Sequence, residues 1–434
     1  MRYVSTTGKY SADLRGAAAN CFAPDGSLYI PERIPVIPRA LFNNIEEMKM
    51  AEIAYVVVTS LLGDDISPTE LKRVVDATFR HDFPVKHLAE NMEVIELFDG
   101  PTMAFKDISA HFMANLMDPA VDVDGKPRVA LVATTGNTGA AVANAIAPHK
   151  GLHVAVLFPK GALNRRQQAQ FTTLGPRVHA IEVAGDISRC KQMVREAMAD
   201  ETLAQSITTS CLNTSNYLRI VPQVVVFFYA YSRLKAKFGA DRARGFSPAI
   251  PCGNLSSLLS AVIAKRLGLP MGKILAGVSA NDDLVRVLAG ELAPDKVNSN
   301  SRATLAKAMD SGFPTNLRRI LALYGNDIVR MGDDMAAFSI SDDEIADIIR
   351  RYEGAGYVAD PHTAVAIGAA ERGAGQRMVF ATAHPAKSLD TMTAITGRSF
   401  ELPLQLTRFM TKPEAPVKLP PSYAALRKYL LKIS

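Results

Sequence analysis

The four cysteines of this 434-residue chain, Cys21, Cys190, Cys211 and Cys252, form no CxxC pair and no closely spaced framework. That excludes a disulfide-stapled scaffold and a cysteine-based zinc site, and leaves reduced core cysteines as the expectation. The eight histidines fall in no metal-ligand spacing such as HExxH, so no metal is expected. Neither GxGxxG nor GxxxxGKS/T occurs, which removes the common nucleotide cradles. The apolar stretch 221–231 is too short to span a bilayer and contains Pro222. The beginning, MRYVSTTGKY, lacks an apolar signal-like region. A cytoplasmic protein without a membrane partner is expected. The formal net charge of +6 is mild for this length, and the basic residues are dispersed rather than blocked. Nucleic acid is therefore not an expected partner, whereas small anions are. There is no internal repeat and no low-complexity tract.

What is present concentrates on one lysine. Residues 98–107 read FDGPTMAFKD, just after a strand-like run, 93–98. Gly100-Pro101 forces a turn, and Ala104 and Phe105 supply apolar surroundings. A lysine held in this way is desolvated, which disfavours the ammonium and makes the amine a usable nucleophile. Lys106 is the candidate for a Schiff base with an aldehyde cofactor.

Three further segments end apolar strands in polar turns. The run 129–133 enters Thr134-Thr135-Gly136-Asn137-Thr138-Gly139 and then an alanine-rich helix. The run 249–257, AIPCGNLSS, leads from a short strand through Gly253-Asn254 into a helix that Ser256 and Ser257 are placed to cap. The run 378–388, MVFATAHPAKS, ends a buried strand at Thr382. Helix N-termini attract anions, and ligands collect at the carboxyl ends of parallel strands. Together with Lys106 these strand ends describe one crevice.

The order of elements gives a coarse organisation. Residues 1–95 read as mostly helical, with Ser67-Pro-Thr-Glu opening a helix. Residues 96–240 and 247–400 each alternate strand and helix, which implies parallel sheets covered by helices. Residues 239–247 read as a linker. Residues 401–434 form a tail, proline-rich and irregular over 412–421, with a short closing helix.

These residues resemble the threonine synthases, pyridoxal-phosphate enzymes of the tryptophan-synthase-β-like fold, in their longer bacterial and fungal form. The resemblance rests on Gly100-Pro101-Thr102 with Ala104-Phe105-Lys106-Asp107, on Asp360-Pro361-His362-Thr363-Ala364, and on Thr382-Ala383-His384-Pro385-Ala386-Lys387, and it extends over nearly the whole chain. It implies an α/β protein of fold-type II with two parallel-sheet domains and a largely helical N-terminal region. It implies pyridoxal 5'-phosphate as cofactor, with Lys106 as the catalytic lysine that carries it. It assigns Asn137 to the cofactor's 3-oxygen, Thr382 to the pyridine nitrogen, and Gly253, Asn254, Leu255, Ser256 and Ser257 to its phosphate. For the substrate phosphate it implies Asn213, Thr214 and Arg219, in a turn with Arg219 about one turn inside the following helix, and Thr135 beside them. The implied reaction is O-phospho-L-homoserine and water to L-threonine and phosphate, on a small anionic amino-acid substrate, by a monomer or homodimer.

The chain departs from the family pattern at several of these places. GNFGD becomes Gly253-Asn254-Leu255-Ser256-Ser257, which puts Ser256 where a glycine allows positive φ. FHGPT becomes Phe98-Asp99-Gly100-Pro101-Thr102, which places an acid beside the lysine. Asp is usual where Asn137 stands, and Lys160, Arg165 and Arg166 stand where GxxSPxQ is usual; the two arginines read as a solvated helix face rather than a second phosphate clamp. The departures leave open a specialised paralogue acting on a phosphonate or phosphohomoserine analogue, a phospholyase giving 2-oxobutyrate, and a non-catalytic cofactor-binding protein.

Overall fold

The computed structural model describes residues 1–117, 125–297, 301–311, 313–414 and 416–433. Strands β1 (Tyr3–Ser5), β2 (Ser11–Ala12) and β3 (Tyr29–Pro31) form a small antiparallel sheet near the start. In chain order there follow β4 (Val85–Ala89), β5 (Met92–Glu96), β6 (Arg128–Ala133), β7 (Leu152–Pro159), β8 (Val178–Val183) and β9 (Thr208–Cys211). The last are β10 (Ser247–Pro251), β11 (Ile274–Val278), β12 (Met335–Ser339), β13 (Arg377–Ala381) and β14 (Val417–Leu419).

Two larger sheets carry the fold. One has the order β14-β8-β7-β6-β9 and is parallel throughout. The other has the order β12-β11-β10-β13-β5-β4 and is parallel except where β4 pairs with β5. Strands such as β6, RVALVA, are apolar on both faces because helices cover both faces of a parallel sheet.

The sheets do not follow the division expected at residue 95. β5, which leads into the Lys106 loop, pairs with β13, so the lysine enters from the sheet of the 247–400 segment. The tail expected to be irregular supplies β14 to the other sheet, with Val417 opposite Ile181. Both differences have one cause. Strand pairing is satisfied by whichever edge lies nearest in space, and that information is absent from local pattern. The expected linker contains a short helix, Ala240–Ala243.

The Val221–Phe238 helix lies at the centre. Pro222 fits its first turn, where no backbone donor is needed, and Gly239 ends it at φ 80°. Almost every side chain from Val221 to Leu234 is buried. It packs on the Met50–Leu62 and Ser256–Arg266 helices, and Phe227 meets Phe380 of β13 with ring centroids 4.7 Å apart. Among the described residues no helix is long and apolar enough to cross a membrane, and all four cysteines are buried and free. Phe227→Ala removes a ring from this contact, and the cavity it leaves should cost about 3–5 kcal/mol, read as a lowered denaturant midpoint at unchanged slope.

Candidate active site

The loop that presents Lys106 is sewn across the end of β13. Leu97 N–H donates to Ala381 O (2.9 Å), Phe105 N–H to Thr382 O (2.9 Å) and His384 N–H to Met103 O (3.1 Å). Ala104 and Ala383 form an isolated bridge. Met103 takes φ 55°, a strained value for a side chain of its size. Asp107, buried, accepts from Thr102 N–H (2.9 Å) and Thr102 Oγ1 (2.6 Å). Gly100 packs so closely on that carboxylate that a Cβ there would run into it. Lys387 Nζ donates to Thr102 O (2.8 Å) and to Gln170 Oε1 (2.5 Å), tying the loop to the Arg165–Thr172 helix.

Lys106 therefore begins the Lys106–Leu116 helix from a fixed platform. Its side chain is half-buried and makes no hydrogen bond or ion pair with a described residue. Burial, and then the Arg219 guanidinium, lower its pKa to about 8. Lys387 is also brought to about 8, by burial and Lys106 against the opposing pull of Asp107.

Arg219 does not lie inside a helix as expected. It ends a short 3-10 turn, Tyr217–Arg219, ahead of the Val221–Phe238 helix. The turn is fixed from both sides, since Ser109 Oγ and Gln223 Nε2 donate to Arg219 O at 3.0 and 2.8 Å. The side chain is 1 % exposed, and its Nε and Nη1, like Gln223 Oε1, have no hydrogen-bond partner among the described residues. Burial lowers its pKa to about 10, opposed by Cys211 and Asp107. A buried guanidinium with idle donors is costly, and an anionic ligand removes the cost.

Asn213 and Thr214 stand beside it in different ways. The Asn213 amide pairs twice with Ala133, accepting from its N–H (3.1 Å) and donating to its carbonyl (2.9 Å). Asn213 thus extends the β6–β9 pairing and holds the Thr134–Thr135 turn. Thr214 Oγ1 accepts from Asn254 Nδ2 (2.8 Å) and Asn316 Nδ2 (3.4 Å), which leaves its own proton to donate. Arg319 and Asn316, which sequence reasoning missed, lock this region. Arg319 is fully buried and donates to Tyr29 O (2.9 Å), Thr214 O (2.6 Å), Ser215 O (2.6 Å) and Asn316 Oδ1 (2.9 Å). Its sequence neighbourhood, TNLRRI, carries no motif that marks it.

The remaining candidates present free donors. Thr135, Asn137, Ser257 and Thr382 make no side-chain hydrogen bond with a described residue. Ser257 and Thr382 line one recess with Phe105 and Gln223. Gly253 packs against the Met309 backbone, where a Cβ would sit 2.7 Å from Met309 Cα. Ser256, where a glycine would allow positive φ, begins the Ser256–Arg266 helix, and the positive φ lies at Leu255, at 63°. The strain sits there because the turn closes before the helix begins, with Ser256 N–H donating to Asn254 Oδ1 (3.2 Å). Outside the helix itself, the N–H groups of Ser257 and Leu258 in this first turn have no acceptor among the described residues. Among the described residues Lys160 makes no ion pair, and Arg165 and Arg166 sit at the surface, where they pair with Glu414 (3.3 Å) and Asp390 (2.5 Å). Among the described residues no cluster fit for a metal occurs. An uncharged-prone amine, free hydroxyls, a helix N-terminus and an idle buried guanidinium suit a phosphorylated aldehyde cofactor and a second phosphate.

Residues 95–380 match the pyridoxal-phosphate dependent enzyme family model, with a threonine synthase N-terminal match over 2–79 and a threonine synthase C-terminal match over 363–430. The chain belongs to the threonine synthase family. It is 31% identical to threonine synthase of Serratia marcescens over 409 residues, 93% of this chain and 92% of that one. The crystal structure of threonine synthase from Escherichia coli superposes with a TM-score of 0.90 at 28% identity, covering 100% of both chains. Pyridoxal-phosphate-bound threonine synthase from Brucella melitensis gives 0.89 at 29% identity, covering 100% of this chain and 99% of that one. The protein is thus a fold-type II pyridoxal-phosphate enzyme, as the sequence resemblance implies.

Two outcomes test the site. In cofactor-free protein, acylation of Lys106 should rise with a midpoint near pH 8 rather than in the ordinary lysine range, with Lys387 separated by peptide mapping. A lysine with a lowered pKa is more deprotonated at every pH below its ordinary value, so the rate gain is largest on the acid side. Ser257→Ala should weaken cofactor binding by about 0.5–1.5 kcal/mol, read by fluorescence titration.

Proposed function

We propose that this chain converts O-phospho-L-homoserine and water to L-threonine and phosphate, with Lys106 and Arg219 as its central residues. The carrying observation is the buried, idle guanidinium of Arg219 set near a lysine of lowered pKa. Lys106 would hold the cofactor, with Asn137, Thr382 and the 253–257 turn around it. Bound pyridoxal phosphate supplies an electron sink that acidifies the substrate's Cα–H.

The chain's own residues then have defined tasks. Lys106, as a neutral amine, takes the proton from Cα, passes that proton on within the closed site, and is then neutral again to take one from Cβ. Phosphate departs from Cγ, and Arg219 and the free Thr214 proton stabilise the charge it carries away. Asn213 aligns the Thr134–Thr135 turn through its pairing with Ala133. A proton returns to Cγ to give the methyl group. Water adds at Cβ, and Lys106 returns a proton to Cα. The balance is substrate plus water giving threonine plus phosphate. Closure of the crevice before water addition protects the reacting carbons. The four free, buried cysteines support a reducing, cytoplasmic location.

Two measurements test the reading. Arg219→Ala should keep the visible cofactor absorption and lower kcat/KM for phosphohomoserine roughly ten- to two-hundredfold, the equivalent of about 1.5–3 kcal/mol. Product analysis should give threonine; 2-oxobutyrate alone would replace this reading with that of a phospholyase.

A further inference from the structure

We propose that a cavity beside the lysine-bearing helix, distinct from the reaction crevice, binds a zwitterionic α-amino acid with an apolar side chain. The cavity, about 400 Å3, lies between the end of the Pro68–Thr78 helix, the turn at Asp99–Pro101 and the Lys106–Leu116 helix. Asp107, Ile108, His111 and Asn115 reach it from that helix at spacings of one turn, which is a single face, and Lys106 is not among its lining residues.

Its chemistry is specific. Phe79, Phe83, Leu97 and Ile108 make apolar walls. Arg80 and Asp99 bring one charge of each sign, both exposed, and neither forms a hydrogen bond or ion pair with a described residue. Asp107 is not available to a ligand, because both its oxygens are engaged by Thr102. The His111 ring makes no hydrogen bond with a described residue, and burial, with His149 and Arg80 nearby, lowers its pKa to about 4. It is therefore a neutral group that offers one N–H. Among the described lining residues, the unpaired Arg80 and Asp99 and the neutral His111 donor, set against the apolar walls, match an α-carboxylate, an α-ammonium and a hydrocarbon side chain. The volume falls in the range of small-molecule sites and accommodates a branched or aromatic amino acid. The reaction proposed above gives Asp99 no task. The turn that carries it packs through Gly100 onto Asp107, the neighbour of Lys106, so an occupant would share a wall with the lysine loop.

The test is calorimetric titration of the holoenzyme with L-isoleucine and L-phenylalanine while the cofactor's visible absorption is followed. Saturable binding to one site is expected, with a dissociation constant between about 10 µM and 1 mM. Asp99→Asn and Arg80→Gln, both surface changes compatible with folding, should each weaken it about tenfold without changing the absorption. 3-Methylpentanoate and 2-methylbutylamine, which keep the side chain of isoleucine and one charge each, should bind more weakly than isoleucine by a similar factor. Absence of binding up to about 10 mM, a range set by the weakest useful affinity, would overturn the proposal. So would binding that both substitutions leave untouched, since that places the amino acid elsewhere. None of these readouts depends on turnover of phosphohomoserine, so failure here and failure of the proposed reaction are separable.

Discussion

The site depends on an imbalance of buried charge. Arg219, Arg319, Lys106 and Lys387 are all desolvated by burial, and Asp107 is the buried carboxylate that acts on Arg219 and Lys387. Each cation is handled differently. Arg319 is saturated by three backbone carbonyls and Asn316. Lys387 is satisfied by Thr102 and Gln170. Lys106 responds by a lowered pKa, and Arg219 keeps idle donors. Desolvation disfavours all four charges, so the unsatisfied pair is a standing cost that phosphate-bearing ligands would relieve. The saturated pair provides the rigidity that keeps the idle donors from collapsing onto protein acceptors.

That rigidity comes from how strand ends meet. β13 holds the lysine loop through Ala381, Thr382 and Ala383, and β6 holds the Asn213 turn through Ala133. The two sheets are joined at the crevice by side chains rather than by pairing: Asn254 to Thr214, and Lys387 to Gln170. Groups on two stiff sheets joined by a few hydrogen bonds can close over a substrate with little distortion inside either sheet.

The sequence made visible whatever a local pattern encodes. The β6 strand, the Asn137–Ile146 helix, the Ser67 cap and the strand Leu152–Pro159 all follow from periodicity and turn chemistry over a few residues. Lys106 was legible because its motif and its apolar setting are contiguous. Three things were not. Sheet membership of β5 and β14 is decided by edges far apart in the chain. The role of Arg319 comes from carbonyls of Tyr29, Thr214 and Ser215, none near it in sequence. The positive φ at Leu255 follows from a single bond, Ser256 N–H to Asn254 Oδ1, that residue type alone does not announce. Asn213 shows the intermediate case: its place was legible, but the backbone it serves was not.

The same charge imbalance explains how such a site selects its substrate. Under the proposed role of Arg219, a ligand with a phosphate would pair its donors, whereas the unphosphorylated alcohol would leave them buried and idle. The difference is not the value of one ordinary hydrogen bond, because the empty case retains the full desolvation cost of a guanidinium. Sites built around a buried polar group reject the analogue that lacks its partner by about 10⁴–10⁵, far beyond what a change of one methylene in an apolar pocket achieves. Selection by phosphate also coincides with catalysis. In the proposed reaction the group recognised is the group that leaves, so charge gathered on it in the transition state would fall on donors already in place. An enzyme organised in this way gains discrimination and leaving-group stabilisation from one residue, and the strain it carries without ligand is the physical source of both.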